Sequence, residues 1–156
     1  MKFFEIGVHH HDCWFTDAIS HFPELQVREI SGRTYNTPDS SKRIVKALYK
    51  VDSSEPEAFN LFAKHVSNSE RVLEVKQIDN RFLQVAWKSS LTSYDAVLNS
   101  GCTIISSCYS RDGLETYSAF AEQSGNIKKM LREWMIERLG NNKKLDLDIY
   151  SLEIKT

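Results

Sequence analysis

His9, His10, His11, Asp12, Cys13 and Trp14 place imidazoles, a carboxylate, a thiol and an indole in one unbroken run. His9, His11 and Cys13 are two apart, so an extended chain points all of them to one side. Neutral imidazoles and a thiolate are ligands for zinc, copper or nickel. Asp12 can orient a histidine from behind. His21, at the end of the helix expected next, can return toward the group. The candidate metal set is therefore His9, His11, Cys13 and His21, with a transition metal such as zinc as the ion. The wider ligand-binding set is His9, His10, His11, Asp12, Cys13 and Trp14, with Trp14 as a wall. Against this stands a plain reading: a hydrogen-bonded turn in which Cys13 and Trp14 pack as small and large hydrophobes. The spacing matches no established zinc signature.

A helix N-terminus beside Cys13 would lower its thiol pKa and favour nucleophilic or redox chemistry. No oxyanion signature, glycine-rich phosphate loop or paired-carboxylate motif accompanies it, so an enzyme is not expected. Cys102 and Cys108 lie six apart in one expected strand, on the same face but ~20 Å from each other, and read as core residues. Trp87 and Trp134 read the same way. The basic, amphipathic stretch 128–144 carries Glu133 and Glu137 among its lysines and arginines and reads as a solvated helix face.

Composition narrows the class. The net charge is −1 and spread evenly, unlike the basic face that binding to a phosphate backbone demands. No apolar run reaches the ~20 residues that span a bilayer. A cytoplasmic protein without a membrane partner is expected. Three cysteines without C-x-x-C spacing argue against a disulfide framework.

The elements that must position the histidine turn follow from periodicity. Phe4, Ile6 and Val8 alternate as a strand does. Phe15, Ala18, Ile19 and Phe22 recur at helical spacing, and Pro23 closes that helix. Strands are expected over 25–30, 43–51, 71–78, 82–87, 103–109, 114–120 and 145–154. A loop is expected over 31–42. Helices are expected after Ser54-Glu55-Pro56-Glu57, over 93–99 (closed by Gly101) and over 126–139. Asp79-Asn80 and Asp112-Gly113 are tight-turn signals, each predicting a hairpin. The order is β-α-β-β-α-β, twice. The expected fold is α+β: two consecutive ferredoxin-like (ACT-like) βαββαβ units, 1–78 and 79–156, with antiparallel sheets and helices on one face.

The strand leading into His11-Asp12-Cys13-Trp14, the Val72–Trp87 stretch (VLEVKQIDNRFLQVAW), Tyr94–Ile105 (YDAVLNSGCTII) and Asp112–Ala121 (DGLETYSAFA) carry a further likeness. With them the chain resembles the N-terminal, non-DNA-binding region of archaeal Bat-type (bacterio-opsin-activator-like) helix-turn-helix transcriptional regulators. The resemblance implies a sensory or regulatory module that answers to a small-molecule effector or a metal and pairs as a homodimer. DNA would be contacted only through a domain not present here. In ACT-like modules small ligands sit at the β1–α1 loop, where His9–Trp14 falls. The rival reading is a structural dimerisation module with no ligand.

Overall fold

The computed structural model describes residues 2–10, 13–36, 43–89, 100–123, 125–130 and 147–155. In chain order the elements are β1 (Lys2–His10), α1 (Trp14–His21), β2 (Gln26–Asn36), β3 (Arg43–Asp52), α2 (Pro56–Ser67), β4 (Val72–Ile78) and β5 (Phe82–Ser89). Then come β6 (Thr103–Ile104), β7 (Tyr109–Arg111), β8 (Leu114–Ala121) and β9 (Leu147–Lys155). Residues 125–130 are helical. The helix expected over 93–99, the remainder of the one expected over 126–139, and Trp134 lie outside the described residues.

Local chemistry explains most of these elements. In β3, Val45, Ala47, Tyr49 and Val51 alternate inward with more exposed neighbours, the period of a half-buried strand. Pro56 opens α2 in its first turn, where its missing N–H costs nothing. Asp112 and Gly113 both have positive φ, 53° and 76°, the signature of a two-residue hairpin turn. A Cβ on Gly113 would also stand 3.4 Å from Pro23 and 3.5 Å from the Ile19 carbonyl, so this turn tucks against the end of α1. β2 runs on to Asn36, through residues expected as loop. A register shift between Glu29 and Ser31 and the bare Cα of Gly32 keep it paired with β3. The strand expected over 103–109 is broken into β6 and β7, where the Ile105 and Ser106 amides both donate to the Ser118 carbonyl.

The strands form one antiparallel sheet in the order β4-β5-β3-β2-β7-β8-β1-β9, with β6 also on β8. This overturns the expectation of two consecutive ferredoxin-like units. Separate units would each keep their first strand in their own sheet. Here β1 lies between β8 and β9, and β5 lies between β3 and β4. The cause is local: the turn after Ile78, where Asp79 has φ 51° and its carboxylate accepts from the Arg81 amide, folds β5 straight back onto β4. The slot beside β4 is then filled, and β1 pairs elsewhere. The boundary between residues 78 and 79 falls inside this hairpin.

The sheet therefore has two sections, β4-β5-β3-β2 and β7-β8-β1-β9, that meet at β2 and β7. One residue pair, Arg28 opposite Tyr109, is in register there. The Glu29 amide bonds the Cys108 carbonyl at 3.0 Å, and the Val27 amide bonds Ser110 Oγ at 2.8 Å. The core crosses this joint. Phe4, Ile6 and Val8 of β1, Tyr49 of β3, Leu83 and Val85 of β5 and Tyr117 of β8 belong to one buried cluster with Phe15, Ile19, Phe59 and Phe62 of the helices. Burying each large apolar side chain contributes ~1.5–3 kcal/mol, so the core ties the sections together where backbone pairing is sparse.

The pairing of β1 with β8 has a direct check. Phe3 faces Phe120, and facing Cα atoms of an antiparallel pair lie ~4.5–5.5 Å apart, within disulfide range. With Cys13, Cys102 and Cys108 replaced by alanine, Phe3→Cys/Phe120→Cys is expected to cross-link on mild oxidation. Mass spectrometry finding only free thiols would contradict this register.

Candidate functional site

The alternation of β1 decides where the histidine turn goes. Ile6 and Val8 face the core, so His9 points to the opposite face of the sheet. His10 ends β1, its backbone opposite Leu147. His11 and Asp12 lie outside the described residues. Cys13 is the N-cap of α1, with extended backbone and no side-chain cap bond. His21 is the last residue of α1, ~12 Å from Cys13 along the axis at ~1.5 Å per residue. Among the described residues, then, His9, Cys13 and His21 do not gather around one point.

Trp14 is part of the core. It is 3% exposed and meets Tyr49 edge-on at 5.2 Å, Trp87 at 5.3 Å and Phe15 at 5.6 Å between ring centroids. Its Nε1 is buried without a hydrogen-bond partner among the described residues. Such a donor carries a desolvation cost of ~1–3 kcal/mol until an acceptor reaches it.

Beside Cys13 and Trp14 the structure gathers acids that the sequence reading did not single out. Glu115 of β8 is buried at 6% exposure. Its Oε2 accepts from Thr16 Oγ1 at 2.9 Å, and its Oε1 accepts from the Tyr117 hydroxyl. Glu29 lies across the β2–β7 joint. It accepts from the Cys108 thiol at 3.4 Å and from Tyr49, its register partner on β3. Gly32 leaves room for it, since a Cβ there would stand 3.1 Å from Glu29 Oε1.

Burial raises both carboxyls above their ordinary range, against the hydrogen bonds that lower them. The charge of Glu29 adds to the rise at Glu115. Among the described residues no lysine or arginine is buried to offset them. Burial, with Glu115 nearby, pushes the Cys13 thiol up to about 12. Cys108 and Tyr49 are raised for the same first reason. The result is a nest of proton-holding groups. A thiol this high stays protonated at neutral pH, when both nucleophilic attack and metal ligation need the thiolate.

On the outer side of α1 a different group forms. His65 Nε2 of α2 lies 2.7 Å from Asp17 Oδ2, and His21 Nδ1 lies 2.9 Å from the Asp17 carbonyl. The two imidazole centroids are 4.6 Å apart. Along the sheet joint, a groove of about 620 Å³ is bordered by Arg28, Lys50, Tyr109, Ser110 and Arg111. No helix among the described residues is long and apolar enough to cross a membrane.

Of the residues missed, Glu115 left a signal: it shares strand parity with Tyr117, Ala119 and Ala121 and therefore had to face the core. Asp17 sits four before His21, a visible helical pair. His65 and Glu29 left none, because both are brought in by tertiary contacts. No family model, curated protein or solved structure matches this chain.

The raised carboxyls give stability a pH dependence of definite sign. A group that holds its proton more tightly when folded loses stability for the protein as pH rises from the ordinary carboxylate range to the raised value. Glu115→Gln keeps an acceptor for Thr16 but cannot ionise. Urea unfolding at pH 5 and pH 8 is expected to show a smaller loss of stability in this variant than in wild type. An equal loss in both proteins would count against the assignment.

Proposed function

We propose that this chain is the sensory or regulatory module of an archaeal Bat-type transcriptional regulator, binding an effector without transforming it. Two things support the reading. One is the resemblance carried by His11–Trp14, Val72–Trp87, Tyr94–Ile105 and Asp112–Ala121. The other, which carries most weight, is the indole N–H of Trp14. It is a buried donor directly after the histidine turn, at the base of α1, set among Tyr49, Phe15 and Trp87. A small ligand bearing a carbonyl, carboxylate or phosphate oxygen would satisfy it while aromatic faces hold the ligand's apolar part.

The position suits signalling. α1 packs on β8 and touches α2, and α2 packs on β4, so a ligand that moves the start of α1 acts on both sections of the sheet. The protonated Cys13 thiol favours binding over nucleophilic chemistry. On this reading the partners are a small effector and a second copy of the chain, in the cytoplasm, with DNA contacted by a separate domain.

Thermal melting against a panel of oxygen-acceptor metabolites tests the proposal. A true effector is expected to raise the melting temperature; at a hundred times its Kd the gain is ~2.7 kcal/mol. It should also change tryptophan emission in wild type and lose that change in Trp14→Phe. An effector whose emission change survives Trp14→Phe would place binding elsewhere, and a panel with no stabilising compound would count against an effector role.

A further inference from the structure

We infer that Asp17, His21 and His65 form a binding site for a divalent first-row transition metal, of the zinc, nickel or cobalt kind, that clasps α1 to α2. This goes beyond the effector reading and does not depend on it. The site runs along the outer face of α1 from Asp17 in its first turn to His21 at its end, and of His9, His11, Cys13 and His21 it uses only His21.

Each of the three side chains offers a donor atom, and these atoms all lie within 4.8 Å of one another. Bonds of ~2.0–2.2 Å to nitrogen and oxygen ask for donor separations somewhat shorter than that, within reach of small side-chain rotations. Asp17 and His21 are four apart on α1, hence stacked on one face. His65 enters from the last turn of α2. Its imidazole meets the ring of Phe22 edge-on at 5.7 Å, which limits its swing.

Hydrogen bonding also prepares the ligands. The Asp17 carbonyl can only accept, so His21 Nδ1 carries the proton in that 2.9 Å contact. The lone pair is then on Nε2, where a metal can take it; a histidine held this way by an oxygen behind it is the usual arrangement in metal sites. His65 donates Nε2–H to Asp17 Oδ2 at 2.7 Å, and binding would release that proton and put the ion between the two atoms. Two imidazoles and one carboxylate select against magnesium and calcium, which prefer all-oxygen shells. Three protein ligands leave a coordination position open to water. Asp17 and His21 are more than half exposed, so the ion has an entry path.

The consequence lies in what the ligands connect. α1 packs on β8 and α2 on β4, in different sections of the sheet. A bound ion would add metal–ligand bonds to a contact between the helices that otherwise rests on the His65–Asp17 hydrogen bond and the packing of His21 and Phe22 on the His65 ring.

The test is calorimetric titration of the chelator-stripped full chain with zinc and nickel, alongside His21→Ala, His65→Ala and His9→Ala. Cobalt(II) absorption serves as a spectroscopic readout of nitrogen and oxygen ligands. All three positions are exposed or half-buried, and circular dichroism verifies that each variant is folded. Saturable binding is expected in wild type and His9→Ala. It should weaken tenfold or more in both His21→Ala and His65→Ala, with the zinc-induced rise in melting temperature lost in parallel. Absence of binding up to millimolar metal would overturn the inference. So would affinity that survives either of those two substitutions, or affinity lost in His9→Ala, which would move the site to the histidine turn.

Discussion

Backbone N–H and C=O groups inside a sheet must find partners, and a strand next to its chain neighbour finds one at the least entropic cost. The turn through Asp79 and Asn80 applies that rule to β4 and β5. Once β5 has folded back, it bonds β4 on one edge and β3 on the other. β1 must satisfy both its edges with β8 and β9. From this single choice follow the continuous sheet, the sparse joint at β2 and β7, and the core that bridges it. The placement of α1 follows as well, since the helix leaves β1 and is carried with it onto β8.

The joint is also where the polar chemistry collects. Glu29 and Cys108 face each other across it, and Glu115 with Thr16 and Tyr117 stands close by in the same core. Replacing such groups with hydrocarbon of equal shape often stabilises a fold. Their cost is tolerable here because each carboxyl accepts from two hydroxyl or thiol donors and can keep its own proton. These hydrogen-bonded acids hold register between sections that share little backbone pairing. Losing the proton would strengthen these same hydrogen bonds but leave a charge in the core, and the cost of burying that charge is the larger effect.

Much of the local structure was legible in the sequence. Strand and helix periods placed β1, α1, β3, α2, β4, β5 and β8 within a residue or two, and Asp112-Gly113 announced its hairpin. What failed was the arrangement of these elements. A β-α-β-β-α-β order repeated twice is compatible with strands kept within each half or shared between halves, and side-chain alternation is the same in both. The hairpin signal at Asp79-Asn80 held the answer, because it commits β5 to β4. The site was less legible. Trp14 next to three histidines reads equally as a pocket wall or a core residue, and no spacing rule shows that its ring is buried while its N–H lacks an acceptor among the described residues. His65 belongs to another helix, so no spacing rule could bring it to Asp17 and His21.

The central position of β1 has a consequence for how the molecule is made. Its backbone partners are β8 and β9, far downstream in the chain, so the strand of this sheet that is made before the others is seated last. Contacts this distant along the chain slow folding, and an apolar strand waiting for partners is exposed to wrong pairings meanwhile. β5, synthesised long before β8, removes one of those wrong pairings by occupying the slot next to β4. The order of synthesis thus favours the native arrangement: the nearer berth is already taken when the early strand is finally placed.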